Sequence, residues 1–488
     1  MRQTKVPAFY TNKSIEAFAA KPSTPISLKH LVNFGKVGRN KGEKEETEKL
    51  LKGGNFLRTE LPIRLSHRLR DLQQLPFVVA SNPHIANVYD LYLEAFEEPS
   101  LHATLRLIRL HSATSSILHS NPLRIRKFPT LQSLEDNDRF CTFIQEKLDK
   151  HRVVIPELAI GVSEVSPFHL PPQDLDTFML RMLRSRISRR VITEQHVALT
   201  QQFREHRDAL ALGRGRYHNW ADHRHVGIVD TSLNVAEVVE YVREFIAGRG
   251  GPEAKVPVNI EGELDTRFAY IGEHLEFMLY ELLRGAVGAT VARHGPEAAS
   301  GLPVTVTINH QPREMSVRVS DQGGGLSPYG GLPPPPSPLI AGAPVSHVET
   351  AQRLDIFSFS HMRRAYQQQT PTHDLSSLPS NASSDVVAPT DSTTVTGINA
   401  LRNVSKLSGT LRDQPDYGKM QSTTRALDSR QADEEQFDAI VNSGIGLPLA
   451  RMYAEYFAGS LQIYTIQGHG SDALLRVPKF GAEAHRTN

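Results

Sequence analysis

The stretch 442–456 reads Asn-Ser-Gly-Ile-Gly-Leu-Pro-Leu-Ala-Arg-Met-Tyr-Ala-Glu-Tyr. Two glycines, Gly444 and Gly446, open a segment whose apolar residues recur with helical period. A helix that begins after such a turn presents backbone N–H groups and its positive dipole end to an anion. A nucleoside triphosphate is the obvious ligand for such a turn. Many helices also begin after glycines for packing reasons alone, so the turn by itself is weak evidence.

A second motif lies at the end of a predicted strand. Alternating apolar residues predict one strand over 304–308 and another over 317–319. The second strand leads into Asp321 and then into the three glycines 323–325. A carboxylate at a strand end can accept a hydrogen bond from an exocyclic amine such as that of adenine, and glycines allow the backbone to approach a base closely. The alternative interpretation is a strand-terminating turn with a solvated aspartate.

A third motif is the stretch 275–290, whose apolar residues again recur with helical period. Glu281 lies in the middle of this predicted helix among apolar neighbours. A carboxylate in such a place is either a residue at the amphipathic edge of the helix or a catalytic base. The segment alone fits both interpretations equally.

In their order along the chain, the three motifs resemble the ATP-binding domain of the gyrase, histidine-kinase and mitochondrial-kinase superfamily (GHKL). In that fold an acidic helix, an Asp-x-Gly-x-Gly turn and a Gly-x-Gly turn surround one nucleotide. The spacing also matches once a long insert before the last turn is allowed. Within the superfamily, the stretches 446–456 and 468–473 are similar to the mitochondrial protein kinases that act on 2-oxo-acid dehydrogenase complexes.

The resemblance to these kinases extends over most of the chain. The stretch 24–35 is similar to pyruvate dehydrogenase kinases, whereas 82–92 is similar to the branched-chain 2-oxo-acid dehydrogenase kinase. The choice between these two subfamilies stays open. Further matching stretches are 56–65, 75–79, 180–187 and 194–196.

The predicted fold class is α+β, with two domains. Residues 24–215 lack strand-like alternation and contain long amphipathic stretches, which predicts an N-terminal antiparallel helical bundle. From His225 onward strand and helix patterns are mixed, so 225–482 is predicted to be the GHKL-type α/β sandwich, a mixed sheet packed on one layer of helices. The amphipathic stretches run over 60–74, 86–96, 140–152 and 175–198.

Two inserts interrupt the second domain in this organisation, and both are predicted to be disordered. The stretch 328–350 contains a run of prolines that can join neither a helix nor a central strand. The stretch 367–436 is rich in Ser, Thr, Asp and Asn with few aromatic residues, so it has little apolar surface to bury. By resemblance, the second insert occupies the ATP lid of the family.

Composition limits the functional classes. The 488 residues at 39% apolar content are enough for two domains, and a net charge of +2 is too small to indicate nucleic-acid or membrane-surface binding. The single cysteine, Cys141, excludes an internal disulfide and a site built from several thiolates. No apolar run approaches the ~20 residues that span a bilayer. The first forty residues contain one acid, Glu16, among several basic residues, which is typical of mitochondrial import.

The resemblance implies an ATP-dependent protein serine kinase of the mitochondrial matrix, with ATP and Mg²⁺ as cofactors. Its substrate would be the decarboxylase alpha chain of a 2-oxo-acid dehydrogenase complex, pyruvate or branched-chain, which phosphorylation inactivates. The implied partners are that alpha chain, the lipoyl-bearing core on which the helical bundle docks, and a second copy of the chain in a homodimer. No nucleic-acid partner and no membrane span is expected.

The resemblance also assigns roles to residues of the three motifs. Glu281 would be catalytic and polarise the incoming hydroxyl, directly or through water, while Asp321 would bind adenine. Ser471 matches the family's threonine behind that aspartate. The full set of expected nucleotide-site residues is Glu281, Arg284, Asp321, Gly323, Gly325, Ser443, Gly444, Ile445, Gly446, Leu447 and Ser471.

One position departs from the family pattern. Four residues after the glutamate, on the same helix face, the family carries an asparagine that holds Mg²⁺, and this chain has Gly285. Mg²⁺ commonly takes only one or two oxygen ligands from a protein, so the loss of this ligand should matter. No residue is assigned as a certain metal ligand. The alternative function is therefore a pseudokinase, a regulatory binding partner of an active paralogue.

A competing motif lies at His67. The pair Ser66-His67 is similar to the phosphoacceptor helix of bacterial histidine kinases, but Arg68 occupies the place of the acidic residue that follows the histidine there. The residue expected to activate the imidazole is missing. We therefore expect His67 to be a structural residue of a bundle helix.

Overall fold

A computed structural model describes residues 12–35, 43–96, 128–165, 169–211, 224–325, 356–360, 445–466 and 468–479. The predicted inserts 328–350 and 367–436 lie outside these residues. The described chain has the predicted α+β class, with helices in the first part and two sheets with further helices in the second. Among the described residues, no helix combines the length and apolar character needed to cross a membrane.

The described residues up to Ala211 form helices without a strand. The α-helices are α1 (Lys13–Ala19), α2 (Leu28–Gly35), α3 (Glu43–Gln73), α4 (Phe77–Ala80), α5 (Pro83–Phe96), α6 (Leu134–Lys150), α7 (Val154–Glu164) and α8 (Pro172–Ala211). The long helices α3 and α8 pack against each other, and α5 packs on both α3 and α7. All four predicted amphipathic stretches are helical, apart from residues at their ends.

Helix α6 illustrates how side chains define an element boundary. The side chain of Ser133 accepts a hydrogen bond from the N–H of Asp136 at 3.1 Å, and the side chain of Asp136 accepts one from the N–H of Ser133 at 3.1 Å. This capping box satisfies N–H groups near the start of the helix that have no partner within it. Lys147 and Lys150 in the last turn complement the helix dipole.

The interior of the helical part contains many charged side chains. Arg64 donates from Nε to Glu60 Oε1 at 2.9 Å, and Arg186 donates to the carbonyl of His151 at 2.6 Å. Arg186, Arg189 and His151 also line a cavity of about 40 Å³ between α3, α6 and α8. Burial, together with the nearby Arg189, lowers the pKa of His151 to about 3, so this histidine is neutral in the folded protein at neutral pH.

The described residues from 224 onward form two sheets and the helices that connect their strands. The elements are β1 (His225–Val226), β2 (Val229–Asn234), α9 (Val235–Gly248), β3 (Val258–Gly262), β4 (Arg267–Tyr270), α10 (Gly272–His294), α11 (Pro296–Ala299), β5 (Val304–His310), β6 (Glu314–Ser320), α12 (Gly446–Tyr456), β7 (Ser460–Ile466) and β8 (Gly470–Pro478).

The larger sheet has five strands in the order β3-β5-β6-β8-β7, with β3 parallel to β5 and the other neighbours antiparallel. It is a mixed sheet, as predicted, and both predicted strands lie within β5 and β6. Because β6 and β8 are antiparallel, the end of β6 lies beside the start of β8, with Ser320 opposite Asp472. Helices α9, α10 and α12 all contact this sheet. The smaller sheet has the order β1-β2-β4.

Gln195 on α8 ties the helical part to the smaller sheet. Its Nε2 donates hydrogen bonds to the carbonyls of Leu31 and Val226 at 3.1 and 3.2 Å. Its Oε1 accepts a hydrogen bond from the N–H of Ile228 at 2.8 Å. One buried amide thus connects α2, α8 and the strands that begin the second part of the chain.

The segment 356–360 forms another junction between the two parts. Asp176 on α8 accepts a hydrogen bond at Oδ1 from the N–H of Phe359 at 2.8 Å, and Phe359 is 1% exposed. On the other side, the guanidinium of Arg451 on α12 lies 4.7 Å from the ring centre of Phe357. This segment therefore contacts both the helical part and the helix that follows the glycine turn.

Candidate functional site

Helix α10 carries the predicted catalytic carboxylate on a buried face. Glu281 is 5% exposed, so it is not a residue at the amphipathic edge of the helix. One turn further on, Arg284 donates a hydrogen bond from Nη2 to Glu281 Oε2 at 2.8 Å. Burial works to lower the pKa of Arg284, yet that pKa is raised above its usual range because Glu281 lies beside it. The buried carboxylate is thus compensated by a charged partner.

Gly446, the first residue of α12, lies directly against Glu281. A Cβ at this position would overlap Oε2 of Glu281, so the close approach requires a residue without a side chain. Helices α10 and α12 are in contact. The N-terminus of α12, where the first backbone N–H groups of the helix have no partner within it, therefore lies beside the Glu281–Arg284 pair.

Asp321 stabilises the turn that follows β6 and links it to the start of β8, in both cases through hydrogen bonds to backbone N–H groups. Its Oδ1 accepts from the N–H of Gly323 at 2.8 Å and from the N–H of Ser471 at 3.2 Å. The N–H of Asp321 donates to the carbonyl of Ser471 at 3.0 Å. Ser471 is thus the partner of Asp321 through its backbone, while its hydroxyl lies 3.4 Å from Thr465 Oγ1. Partial burial raises the pKa of Asp321, although the two N–H donors work to lower it.

The glycines that follow let this turn approach helix α10. A Cβ on Gly323 would lie 2.5 Å from the Cβ of Ala289. A Cβ on Gly324 would lie 3.2 Å from Nε of Arg293. Gly324 and Gly325 have φ angles of +83° and +74°, in the left-handed region that favours glycine. The turn therefore needs glycine both for its own conformation and for its contact with the helix.

One face of α10 runs from the contact between Glu281 and Gly446 to the contact between Ala289 and Gly323. Glu281, Gly285, Ala289 and Arg293 follow at intervals of four residues, so they lie along one side of the helix. Apart from the adjoining backbone of its own helix, a Cβ on Gly285 would meet no atom of the described residues within 4 Å. The space above Gly285 is therefore open, between α12 and the turn 321–325. From residue 281 to residue 289 this face runs about 12 Å along the helix axis.

Most of the predicted site residues lie at the two ends of this face. Ile445, which precedes α12, is 1% exposed, so its side chain belongs to the core and its backbone alone can reach a ligand. Ser443 and Gly444 lie outside the described residues. The end at α12 contains Glu281, Arg284, Ile445, Gly446 and Leu447, and the end at the aspartate turn contains Asp321, Gly323, Gly325 and Ser471.

Three residues of this arrangement were not predicted. Ala289 and Arg293 lie against the glycine turn, and the interval of four residues from Glu281 was a signal that could have identified them. Gly470 lets β8 approach the carbonyl of Asp321, where a Cβ would overlap the oxygen. That contact depends on the pairing of β6 with β8, which local sequence patterns do not reveal.

The residues around the open space do not suit a magnesium ion. Mg²⁺ requires oxygen ligands in near-octahedral geometry. Gly285 offers no side-chain oxygen, and the Glu281 carboxylate is engaged by Arg284. In the part of the chain that the structure describes, there is no group of three or more His, Cys, Asp or Glu residues that could hold a metal ion.

His67 lies in helix α3, away from the face described above. Its Nε2 is 2.9 Å from the carbonyl oxygen of Lys21. Burial lowers the pKa of His67, although the bond to Lys21 works to raise it. A contact between the imidazole and a backbone carbonyl agrees with the structural role expected for this residue.

Comparison with known proteins finds relatives along nearly the entire chain. Residues 25–230 match the family model described as mitochondrial branched-chain alpha-ketoacid dehydrogenase kinase. The chain is 25% identical to pyruvate dehydrogenase (acetyl-transferring) kinase 2, mitochondrial, of Saccharomyces cerevisiae, over 96% of this chain and 85% of that protein. It is 23% identical to the corresponding mitochondrial kinase of Arabidopsis thaliana, over 96% and 94% of the two chains. For the kinase of Schizosaccharomyces pombe the identity is 24%, over 95% of each chain.

The α+β fold and these relatives identify the class of protein: the chain is a protein kinase. More particularly, the chain is similar to the mitochondrial 2-oxo-acid dehydrogenase kinases, because the matching family model and the relatives are kinases of that kind by name. The family resemblance inferred from the three motifs is thereby confirmed. The matches cover the helical part as well as the sheets.

Proposed function

We propose that this protein is an ATP-dependent serine kinase that phosphorylates the decarboxylase alpha chain of a mitochondrial 2-oxo-acid dehydrogenase complex and so inactivates the complex. The observation that carries the proposal is the face of α10. It aligns Glu281 and the start of α12 at one end with the Asp321 turn at the other. Support also comes from the relatives, which are pyruvate dehydrogenase kinases by name.

In this proposal ATP lies along the open space above Gly285. The carboxylate of Asp321 accepts a hydrogen bond from the exocyclic amine of adenine. The backbone at the start of α12, around Gly446, faces the phosphates, where unpaired N–H groups and the helix dipole favour negative charge. Arg284, which is paired with Glu281, adds guanidinium N–H donors at the same end. These groups position the nucleotide, and positioning is the larger part of catalysis in phosphoryl transfer.

Glu281 acts on the protein substrate. The oxygen of the substrate serine attacks the γ-phosphorus, and the bond from that phosphorus to the β,γ-bridging oxygen breaks. The hydroxyl proton passes to Glu281, directly or through a water molecule, and ADP leaves with the electron pair of the broken bond. Arg284 holds the Glu281 carboxylate from one side, and Gly446 leaves room for it on the other.

The proposal includes the organisation of the molecule. Residues 24–215 form the bundle that docks on the lipoyl-bearing core, and 225–482 form the GHKL-type kinase domain. The protein works as a homodimer in the mitochondrial matrix. Strand β7 supports the dimer, because it lies at the edge of the five-stranded sheet and exposes Tyr464 at 54% and Ile466 at 66%.

The test is a phosphorylation assay with the full-length protein, radiolabelled ATP and Mg²⁺. Intact pyruvate and branched-chain complexes are offered in parallel, because the family model is named for the branched-chain kinase and the relatives are pyruvate dehydrogenase kinases. We expect label on one decarboxylase alpha chain and loss of activity of that complex. Absence of label on both alpha chains, beside an active relative, would reject the proposal.

A second candidate function is a regulatory pseudokinase that pairs with an active paralogue. The open space above Gly285 favours it, because position 285 supplies no side-chain oxygen for the metal that accompanies ATP in kinases. The Gly285→Asn variant separates the two candidates. An inactive natural protein that gains turnover with asparagine supports the pseudokinase, whereas label transfer by the natural protein rejects it.

A further inference from the structure

The open space on α10 lies between two positions of the helix at which another element comes into close contact. On the same helix face, Glu281 is closed off by Gly446, and Ala289 is closed off by Gly323. Gly285 lies between them, and in the part of the chain that the structure describes no atom lies within 4 Å of where its Cβ would be, apart from its own helix backbone. A helix interior rarely uses glycine without a packing reason, since glycine costs about 1 kcal/mol relative to alanine there. We therefore attribute the missing side chain at position 285 to ligand binding and not to the stability or packing of the helix.

Among the described residues on this face, the one carboxylate is that of Glu281, and its Oε2 is bonded to Arg284. Arg284 is bonded to Glu281 through Nη2, and its buried Nε has no hydrogen-bond partner. On the far side of the space, Arg293 lies along Gly324. Guanidinium groups bind phosphate oxygens directly, whereas a magnesium ion needs oxygen ligands, and among the described residues of this face only Glu281, already paired with Arg284, carries a carboxylate.

We propose that the site binds its nucleotide as the metal-free anion, and that Mg²⁺ does not strengthen binding. The phosphates would be bound by N–H groups of Arg284, whose charge is shared with Glu281, by the guanidinium of Arg293 and by the N-terminus of α12, and the ligand class is a free adenosine di- or triphosphate. This inference rests on the proposed function, because it concerns the same nucleotide site. It deepens that function by naming the ionic form of the nucleotide that the residues recognise.

The first experiment is calorimetric titration of the full-length protein with ADP, in excess MgCl₂ and again in excess EDTA. The same pair of titrations is made with the imido analogue of ATP, which is not hydrolysed. We expect the Kd in EDTA to be equal to or lower than the Kd in Mg²⁺. A Kd that is more than about threefold lower in Mg²⁺ for either nucleotide would overturn the inference, because such a gain requires a metal contact from the protein.

Two variants at one position provide a matched comparison. Gly285→Asn adds a side-chain oxygen to the open space, and Gly285→Ala adds only a Cβ, which meets no atom within 4 Å. We expect Mg²⁺ to strengthen ADP binding by about tenfold in the asparagine variant and to leave the Kd of the alanine variant unaffected by the metal. Equal metal dependence in both variants would contradict the inference, since the oxygen would then have no role.

The outcome also separates this inference from the proposed function. Binding that Mg²⁺ strengthens in the natural protein overturns the inference and leaves the nucleotide site in place. Absence of binding of ADP and of the ATP analogue, with and without the metal, removes the nucleotide site itself and rejects the kinase proposal. Thermal unfolding of each variant, measured in parallel, shows whether a loss of binding comes from a loss of the fold.

Discussion

The two ends of the α10 face and its middle use glycine for opposite purposes. At the ends, Gly446 and Gly323 lack a side chain so that another element can come close to Glu281 and Ala289. In the middle, Gly285 lacks a side chain and no other described element comes within 4 Å of it. The comparison shows that a glycine in a helix or at its start has no single meaning. The neighbour that a Cβ would meet decides whether the residue serves packing or leaves room for a ligand.

The largest effect is expected at the closed end that carries Glu281. Glu281→Gln keeps the shape of the side chain but removes the base, so phosphoryl transfer should fall by about 10²–10⁴-fold. Initial rates of label transfer measure this, and Glu276→Gln on the same helix is the control. Circular dichroism checks the fold, because the variant leaves Arg284 buried without its charged partner. An unchanged rate would show that Glu281 is a structural residue.

The next effect is expected at the other closed end, at Asp321. Asp321→Asn replaces a carboxylate by an amide that presents donors as well as an acceptor, so the hydrogen bond to the adenine amine weakens. A loss of about 1.5–3 kcal/mol corresponds to adenine-nucleotide binding that is about 10–150-fold weaker. Calorimetric titration with ADP measures it, with Asp265→Asn in an exposed turn as the control. Equal affinity for ADP and GDP in the natural protein would contradict the assigned role.

The contrast between the two kinds of glycine gives a third prediction. Gly446→Ala forces a Cβ onto Oε2 of Glu281, so the carboxylate must move; we expect transfer to fall by at least about tenfold and stability to fall by about 1–3 kcal/mol. Gly285→Ala meets no atom, and its better helix propensity should raise the free energy of unfolding by up to about 1 kcal/mol. Urea denaturation of both variants measures the difference. The same stability change in both variants would contradict the distinction between a glycine needed for close packing and a glycine that leaves open space.

A smaller effect concerns pH and the first turn of α10. His274 is packed against Tyr453 with ring centres 4.5 Å apart, and burial, with Arg190 nearby, lowers its pKa to about 3. The unfolded chain takes up a proton at this histidine below about pH 6.5 that the folded chain excludes, so stability falls as pH decreases from 6.5 towards 3. His274 alone contributes a slope of about 1.4 kcal/mol per pH unit in that range.

The variant His274→Phe tests this contribution, because phenylalanine fills a similar space and carries no proton. Urea unfolding at pH 5.0 and at pH 6.5 should show a smaller difference in the variant than in the natural protein, by about 1.6 kcal/mol. His151 and His196, with pKa values of about 3 and about 4, keep a similar dependence in both proteins. Identical differences between the two pH values would show that His274 does not contribute.

Local patterns predicted the elements of the site better than its contacts. The strands over 304–308 and 317–319, the helix around Glu281 and the mixed sheet follow from period and from turn residues, and the structure contains them. The two interpretations of Glu281 could not be separated from sequence, because an edge residue and a buried one share the same helical pattern. The 5% exposure of Glu281 and its bond to Arg284 decide between them.

The features that the sequence could not predict depend on contacts between elements that lie far apart along the chain. Whether Gly446 and Gly285 are crowded or free is set by where α12 and the turn 321–325 cross α10, and no local pattern encodes that distance. The link from Gln195 to the smaller sheet is equally hidden, since its partners lie far apart along the chain. The backbone bond between Asp321 and Ser471 depends on the register of β6 and β8 in the same way.

The one cysteine of the chain has a practical consequence. Cys141 is buried, and burial raises the pKa of its thiol, so a thiol reagent at neutral pH should leave it unmodified in the folded protein. A Gly285→Cys substitution would then supply a single accessible thiol, placed on the α10 face with room for an attached fluorophore. Such a probe would report occupancy of that space in real time, whichever molecule enters it.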